Sequence, residues 1–475
     1  MEMSNKLITL NTLKSYIHKK DVKKIRHLFE KYRVIDLASI MNHLSHPEDL
    51  LFIFRTCNSD HTSELFSHLS PEQQENLLHI FSDKQLVDLI NHSYQDDVAD
   101  FLSDMPANLV SRILKVADPS IRQDINNLLN YKPGTAGSIM TTEYVTIAET
   151  ATIGQTLDKI RKVGRDKETI YSNFIVDEKR FLKGIIYIED VVFHESNMLV
   201  QEVMNREFIS CFVHTDQEEV SQLFKRYDLS VIPVLNESNH LVGIITIDDI
   251  VDVIDKEASE DFLKMAAIQP LDGNYRQSKP NAIVMKSVPW IIGLMVLGAI
   301  STFTINQFQG TLESVVILTA FIPGIMNTGG NTGNQSVAMI TRAIAVKEIS
   351  MKDFGFVVKK ELNVALLTAC LTSLFAFGFI FIQLASGFIR LPLDMDLPMY
   401  QQAWWFFITR LSGLVSLTLL VAIIISKMLG SLVPLLALKL KKDPAVMSSP
   451  FLTTLVDFSS LLIYFLLANF LFNFF

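Results

Sequence analysis

Residues 287–341 read SVPWIIGLMVLGAISTFTINQFQGTLESVVILTAFIPGIMNTGGNTGNQSVAMIT and contain one charged side chain, Glu313. An apolar run of this length exceeds the 20 or so residues with which an α-helix spans a bilayer. Three later stretches are similar, since 362–389 carries no charge, 397–426 only Arg410, and 444–475 only Asp457. The C-terminal part is therefore predicted to be a membrane domain, which excludes a fully soluble protein.

The first 286 residues have the opposite character. The chain of 475 residues carries 42 basic and 51 acidic side chains, and its net charge of −9 divides into −12 for residues 1–286 and +3 for the rest. This acidic balance argues against nucleic acid as a partner, because phosphate binding needs clustered basic side chains. The first residues lack the apolar core of a secretory signal, so this part is expected in the cytoplasm.

Five membrane spans fit the C-terminal part, at about 288–308, 314–341, 361–386, 403–427 and 447–472. Lysine and arginine side chains between the spans fall on one side, and the opposite loops offer only Arg390. By the positive-inside rule, the N-terminal domains are predicted to be cytoplasmic and the C-terminus to lie outside.

Residues 1–132 are predicted to form a helical domain. Ser70-Pro71-Glu72-Gln73 places a capping serine before a proline at the first helical position, and Ser82 with Gln85 repeats the capping pattern. Apolar residues at helical spacing follow each start signal, which predicts a stack of amphipathic helices.

An internal repeat follows. Gly184-Ile-Ile-Tyr-Ile-Glu-Asp190 is echoed by Gly243-Ile-Ile-Thr-Ile-Asp-Asp249, and the two units open with Ser138-Ile-Met140 and Glu202-Val-Met204. This arrangement resembles a tandem pair of CBS domains, modules that regulate transporters and enzymes, often by binding adenine nucleotides. The predicted protein is thus a multi-domain membrane protein with an all-α cytoplasmic N-terminal domain, an α/β tandem CBS pair (133–196 and 197–256), a connecting helix (257–285) and a five-helix transmembrane domain (286–475).

Asp457 lies in the middle of the last predicted span. An ionisable group there costs roughly 2.5 to 3.5 kcal/mol on insertion scales, so a functional role is the default interpretation. Thr453, Asp457 and Ser460 share one helix face by their i, i+4, i+7 spacing, and such a polar stripe must face protein or water. The alternative is a structural ion pair with Arg410 on a neighbouring span.

The second span contains Phe321-Ile-Pro-Gly-Ile-Met-Asn-Thr-Gly-Gly-Asn-Thr-Gly-Asn-Gln-Ser336. We expect Pro323 and the glycines to interrupt this helix and to free carbonyl groups that could coordinate cations. The alternative is that the small residues serve close helix packing. One carboxylate, many neutral oxygens and no basic residue together favour a cation path.

The hardness of the available ligands narrows the choice of cation. Oxygen-only sites suit Mg²⁺, Ca²⁺ or Mn²⁺ better than Zn²⁺ or Cu⁺. Mg²⁺ dehydrates reluctantly and is held through its waters by one or two carboxylates, which fits one Asp457 from each subunit of a dimer. These arguments alone do not distinguish Mg²⁺ from Ca²⁺ or Mn²⁺.

The cytoplasmic part also carries a dense acidic surface. Its members are Asp216, Glu218, Glu219, Asp228, Asp248, Asp249, Asp252, Asp255, Glu257, Glu260 and Asp261. Such a surface repels itself unless counterions bind, so divalent cations could hold the assembly compact. The alternative is a solvated face that serves solubility.

The whole chain resembles the MgtE family of bacterial magnesium channels. The motifs that carry the resemblance are Ser67-His-Leu-Ser-Pro-Glu72, Asp96-Asp97-Val-Ala-Asp100, Glu257-Ala-Ser-Glu-Asp261, Gly329-Gly-Asn-Thr-Gly-Asn-Gln-Ser336 and Asp443-Pro-Ala445 before Asp457-Phe-Ser-Ser-Leu-Leu-Ile-Tyr464. The resemblance implies a homodimer in the lipid bilayer, with a central pore between the second and fifth spans and hydrated Mg²⁺ at Asp457. The other candidate residues of the ion path are Gly330, Asn334, Thr453 and Glu313.

The resemblance also implies that cytoplasmic Mg²⁺ closes the channel. The matching metal positions are Glu64, Asp96, Asp100, Asp216, Glu218, Asp228, Asp249, Asp252, Glu257, Glu260, Asp261 and Asp443. ATP is a second candidate ligand, since Thr246 and Asp249 fit the ribose-binding pattern of CBS modules, and Asp190 is the equivalent of Asp249 in the first CBS domain.

Two other interpretations remain open. The chain could be a CBS-gated transporter of another divalent cation such as Mn²⁺ or Co²⁺, or a membrane-tethered sensor of Mg²⁺ or nucleotide. An enzyme is not expected, because the sequence holds no P-loop, GxGxxG, HExxH or GxSxG motif.

Overall fold

The computed structural model describes residues 9–57, 59–103, 105–270, 275, 278–388, 398–444 and 449–472. The chain divides into two compact units, Met1–Asp255 and Lys256–Phe475, which are described separately. Arg390, the predicted basic residue of the outer loops, lies outside the described residues.

The first unit begins with short helices, as predicted. In the described residues they are α1 (Leu10–His18), α2 (Val22–Lys31), α3 (Val34–Met41), α4 (Pro47–Thr56), α5 (Ser59–Ser67), α6 (Pro71–Ile80), α7 (Asp83–His92), α8 (Gln95–Ser103), α9 (Ala107–Val116) and α10 (Pro119–Leu129). Ser82 and Gln85 form the predicted capping box at the start of α7. Ser70 precedes Pro71 at the start of α6, but its side chain makes no capping hydrogen bond. One apolar stripe from each helix builds a shared core that runs from Leu13 to Ile125.

The repeat forms two similar α/β subdomains. The first contains β1 (Thr146–Ala148), α11 (Ile153–Val163), β2 (Ser172–Val176), β3 (Leu182–Tyr187), α12 (Ile188–Phe193) and the short α13 (Val200–Val203). The second contains β4 (Cys211–Phe212), α14 (Gln217–Tyr227), β5 (Val231–Leu235), β6 (Leu241–Thr246) and α15 (Ile247–Met265). In each sheet the first strand runs parallel to the second, and the second pairs antiparallel with the third.

The two subdomains exchange their opening segments. The backbone of Thr141 pairs with Ile244 of β6, and Asn205 pairs with Ile185 of β3. A side chain at Gly184 would lie 2.9 Å from Met204 Sδ, and one at Gly243 would collide with Met140. The glycines of the repeat are therefore required because the opening methionine of each subdomain packs on the glycine of the other.

The second unit is a bundle of long helices. They are α16 (Pro280–Gln307), α17 (Gln309–Ser314), α18 (Ile322–Ala345), α19 (Phe354–Ala385), α20 (Pro398–Lys439) and α21 (Ser449–Phe472), with a 3-10 turn at Val316–Phe321. The connecting segment is not a separate element, because α15 continues from the second subdomain through Glu257 and Asp261.

The five predicted spans are not all confirmed. Within the described residues, four segments are long and apolar enough to cross a membrane: Pro280–Gln307, Met351–Ala385, Trp404–Lys439 and Phe451–Leu471. Helix α18 is not among them, because glycine, asparagine and threonine side chains lower its hydropathy. The fourth span is longer than predicted, so Lys427 lies inside α20 and is buried instead of lying in a loop.

Candidate ion path and acidic clusters

Helices α18 and α21 approach closely along a face of small and polar residues. A side chain at Gly329 would lie 2.9 Å from Ser460 Oγ, and one at Gly330 would lie 3.4 Å from Thr453 Cγ2 and 4.0 Å from Asp457 Oδ1. The predicted stripe of Thr453, Asp457 and Ser460 therefore faces the glycines of α18. Asn334, one turn further along α18, donates a long 3.4 Å hydrogen bond to Thr453 Oγ1.

The glycine-rich segment is a continuous helix, so the prediction of an interrupted span is wrong. Pro323 falls in the first turn of α18, where a proline breaks no hydrogen bond, and the helix runs without a gap to Ala345. The glycines permit close approach, and a side chain at Gly333 would lie 2.6 Å from Ser426 Oγ of α20. The oxygens that this helix offers to an ion are consequently side-chain oxygens.

Asp457 is half-buried, and within the described residues it takes part in no ion pair. The guanidinium of Arg410 lies over the ring of Phe406, 5.7 Å from its centroid. The alternative of a structural pair between Asp457 and Arg410 is therefore not what the structure contains. Glu313 lies on α17, is exposed and accepts a 2.8 Å hydrogen bond from Gln309, so it does not join Asp457.

Five carboxylates of the first unit form what we call the acidic cluster, and only two of them were predicted. They are Asp96 and Asp97 of α8, Glu143, Glu168 and Asp249 of α15. A hydrogen bond of 2.8 Å between Thr142 Oγ1 and Gln95 Oε1 ties the start of α8 to the segment that carries Glu143. The backbone of Glu168 donates to that of Glu143 at 2.9 Å.

The acidic cluster is electrostatically strained. Burial, and then the neighbouring carboxylates, raise the pKa of Asp96 and of Glu143 to about 7 and that of Glu168 to about 8. Partial loss of hydration raises the pKa of the exposed Asp97 and of the half-buried Asp249 to about 6, although Thr246 donates a 2.7 Å hydrogen bond to Asp249 Oδ2. Groups of this kind gain from a bound cation.

The donor chemistry of the acidic cluster fits a hard divalent ion. Within the described residues, Asp96 Oδ1, Glu143 Oε2 and Glu168 Oε2 are buried oxygens without a hydrogen-bond partner. In the same residues no three His, Cys, Asp or Glu side chains are arranged to hold one metal ion directly. An ion that keeps its waters, as Mg²⁺ does, can bridge such longer gaps.

The other predicted metal positions of the first unit are spread over its surface. Glu64 is exposed on α5, 3.9 Å from His61 Nδ1, and Asp100 is exposed one turn after Asp96. Asp216 caps α14 by accepting from the backbone of Glu218, and Asp228 ends that helix in a left-handed conformation. Asp252 is exposed on α15, and Asp190 accepts a 3.3 Å hydrogen bond from the backbone of Tyr187.

In the second unit a lysine joins two predicted metal ligands. Lys264 Nζ lies 2.6 Å from Glu260 Oε1 and 2.6 Å from Asp443 Oδ2. Burial opposes the charge, but these hydrogen bonds raise the pKa of Lys264. Asp261 lies in the same group, where burial and then Asp443 raise its pKa. This lysine was not predicted, because nothing in the sequence places residue 264 beside residue 443.

Comparison with known proteins agrees with this architecture. Residues 322–467 match the MgtE family, described as a divalent cation transporter, residues 32–134 match the MgtE intracellular N domain, and residues 136–197 and 200–256 match the CBS domain. Fold and site thus define a CBS-containing membrane transporter of the divalent-cation class.

Relatives extend the match over nearly the whole chain. The magnesium transporter MgtE of Thermus thermophilus is 32% identical over 442 residues, which is 90% of this chain and 93% of the relative. The magnesium transporter MgtE of Bacillus subtilis is 30% identical over 449 residues, 92% of this chain and 94% of the relative. The chain belongs to the MgtE family. A crystal structure of the cytosolic domain of the Mg²⁺ channel MgtE in complex with ATP is 33% identical, covers 51% of this chain and 99% of that chain, and gives a TM-score of 0.49.

Proposed function

We propose that the chain mediates magnesium uptake as a homodimeric channel whose ion path runs along the face between α18 and α21. The observation that carries the proposal is the carboxylate of Asp457, which faces the glycines of α18 and has no ion-pair partner among the described residues. A carboxylate at membrane depth needs a compensating charge, and a passing cation supplies one.

The side chains of this face suit a hydrated ion. Asp457 holds the cation through its waters, while the oxygens of Asn334 and Thr453 accept hydrogen bonds from the same water shell. Gly330 places no side chain between α18 and the carboxylate. Glu313, exposed on α17, lies outside this constellation and is proposed only as an outer-mouth charge.

We also propose that cytoplasmic Mg²⁺ closes the channel. The acidic cluster and the group around Asp443 hold carboxylates together at an electrostatic cost that a divalent ion removes. Several weak sites give a steep response when each ion binds the closed state better than the open state. For the domain boundaries we propose a helical N-terminal domain at 1–132, CBS domains at 133–196 and 197–256, a connecting segment at 257–285 and a transmembrane domain at 286–475. The N-terminus is proposed to be cytoplasmic and the C-terminus to lie outside.

ATP binding at the second subdomain is a further part of this proposal. The 2.7 Å bond from Thr246 to Asp249 holds the carboxylate of the ribose-binding pattern in place. Binding of nucleotide there and of Mg²⁺ at the acidic cluster would share Asp249, so the two ligands would influence each other.

Mg²⁺ flux into liposomes containing the purified chain tests the proposal. The vesicles used are those in which the cytoplasmic domains face the lumen. Their lumen holds either no Mg²⁺ or millimolar Mg²⁺. Asp457→Ala runs in parallel, with Ser459→Ala as a matched control, because Ser459 Oγ donates to Leu455 O of its own helix at 2.8 Å. Flux that needs Asp457 and falls at high cytoplasmic Mg²⁺ supports the proposal. Flux that is the same in Asp457→Ala contradicts the ion path, and no Mg²⁺ flux in folded dimer favours another cation or the sensor.

A further inference from the structure

Three buried polar residues meet in the second unit, one from each of three helices. Ser336 of α18, Glu361 of α19 and Lys427 of α20 are 0%, 6% and 2% exposed. Ser336 Oγ donates to Glu361 Oε2 at 2.9 Å, and Lys427 Nζ donates to Ser336 Oγ at 3.4 Å. We call these three residues the buried bridge.

Stability does not explain the buried bridge. Taking an acid and a base out of water costs several kcal/mol for each ion, and apolar side chains of similar volume are often as stable or more so. Ionisable groups inside a membrane domain are rarer still and mark function by default. A role in fixing geometry accounts for a costly group better than a role in holding the bundle together.

The position of the buried bridge on α18 shows which geometry it fixes. Successive residues of an α-helix are 100° apart, so Ser336 points about 200° away from Asn334. Asn334 faces Thr453 of α21, whereas Ser336 faces α19 and α20. The helix that lines the proposed ion path is therefore held on its opposite face by the buried bridge.

Close packing leaves rotation as the main freedom of α18. Gly333 lies against Ser426, and a side chain at Gly430 would collide with the backbone of Gly333, so α18 and α20 are already at their nearest approach. A side-chain amide lies about 6 Å from the helix axis, so a rotation of 20° moves it by about 2 Å. That displacement approaches the distance of about 2.8 Å between hydrogen-bonded oxygens, which is the scale on which a hydrated ion is recognised.

We propose that Ser336, Glu361 and Lys427 are positioning residues that set the rotation of α18, and thereby the discrimination of Mg²⁺ against larger divalent ions such as Ca²⁺. The inference rests on the proposed function, since it takes the face of Gly330, Asn334 and Asp457 as the ion path. A fixed width favours Mg²⁺, which passes with its water shell, whereas Ca²⁺ accepts variable coordination and tolerates a looser path.

The test compares initial rates of Mg²⁺ and Ca²⁺ uptake into the same batch of proteoliposomes. Ser336→Ala removes the hydroxyl and keeps both charges. Lys427→Met and Glu361→Gln each remove one charge, and the double variant removes both. Thr418→Val is the control for a buried hydroxyl, since Thr418 donates to Leu414 O of its own helix. Lys439→Met is the control for an exposed charge on α20.

We expect each single variant to lower the Mg²⁺ to Ca²⁺ ratio by about threefold or more, and the double variant, which lacks both charged members of the buried bridge, to lower it at least as far as the worse single variant. The half-saturating Mg²⁺ concentration should change with the ratio, whereas a merely structural defect would lower both rates in proportion. Unchanged ratios in folded single variants, or a folded double variant with the ratio of the unsubstituted chain, overturn the inference.

If the charge variants do not fold, Ser336→Ala decides the inference by itself, because it removes the hydroxyl that joins Glu361 and Lys427 and changes neither charge. A shifted ratio supports the buried bridge as a positioning device, and an unchanged ratio removes it. Asp457→Ala separates the two proposals. If flux depends on Asp457 but the Mg²⁺ to Ca²⁺ ratio is unchanged in the variants of the buried bridge, the proposed function stands and only this inference is overturned. If the unsubstituted chain shows no Mg²⁺ flux, the proposed function itself is overturned.

Discussion

Gly330→Ala adds one methyl group to the proposed ion path without disturbing the helix that carries it. Alanine is favoured over glycine inside a helix by about 1 kcal/mol, so the fold should be unharmed or stabilised. The methyl carbon would lie 3.4 Å from Thr453 Cγ2 and 4.0 Å from Asp457 Oδ1, which is ordinary van der Waals contact.

The same 4.0 Å separation leaves no room for a water between the methyl group and the carboxylate. A water bonded to Oδ1 needs about 2.8 Å on that side alone. If the ion passes with its waters, the methyl group removes one water-mediated hydrogen bond, worth about 0.5–1.5 kcal/mol. The half-saturating Mg²⁺ concentration should therefore rise by about 2- to 12-fold.

The assay is the initial rate of Mg²⁺ uptake into proteoliposomes as a function of external Mg²⁺. Gly324→Ala is the matched control, since it lies on the same helix and a side chain there meets nothing within 4 Å. A Gly330→Ala protein of normal stability with an unchanged half-saturating concentration would refute the placement of the ion path, as would an equal effect of Gly324→Ala.

Three further predictions concern the cytoplasmic control. Lys264→Met leaves the carboxylates of Glu260 and Asp443 without their ammonium partner, so inhibition of uptake should depend more steeply on the cytoplasmic Mg²⁺ concentration. The same inhibition curve as that of the unsubstituted chain would argue against a role for this lysine. Because the pKa values of the acidic cluster are raised, the folded chain keeps protons there that the unfolded chain releases above about pH 4. The free energy of unfolding should therefore fall as the pH rises from about 4 to about 8 and the cluster ionises. Mg²⁺ should therefore raise Tm more at about pH 8 than at about pH 5.5, and less in Asp96→Asn; equal shifts would contradict this. Deleting residues 1–130 removes α8 from the acidic cluster and should weaken inhibition of uptake by cytoplasmic Mg²⁺, which flux at millimolar internal Mg²⁺ would measure.

Local patterns made much of the fold predictable. The capping box of Ser82 and Gln85 and the tandem repeat ending at Asp190 and Asp249 both depend on residues a few positions apart, and both are present in the structure. The stripe on α21 follows from helical spacing alone, since a polar face in an apolar helix has to be covered. Thr453 and its neighbours are covered by the glycines of α18.

What sequence reasoning missed depends on contacts between distant residues. Glycines usually weaken a helix, but in α18 they are retained because Ser460 and Ser426 leave no space for a side chain. Lys427 was predicted at the end of a span, and only the folded structure shows that it donates to the buried Ser336, which in turn donates to Glu361. Glu143 and Glu168 are isolated in the sequence, and only the folded first unit brings them to Asp96.

The most direct test of the account replaces one atom. Asp457→Asn keeps the shape of the side chain and removes its negative charge, and Mg²⁺ uptake into proteoliposomes is compared with that of the unsubstituted chain at matched amounts of folded protein. We predict that uptake falls close to that of empty vesicles, while Asp457→Glu, which keeps the charge, retains part of the uptake. Uptake by Asp457→Asn at the rate of the unsubstituted chain would contradict the assignment of this carboxylate to the ion path.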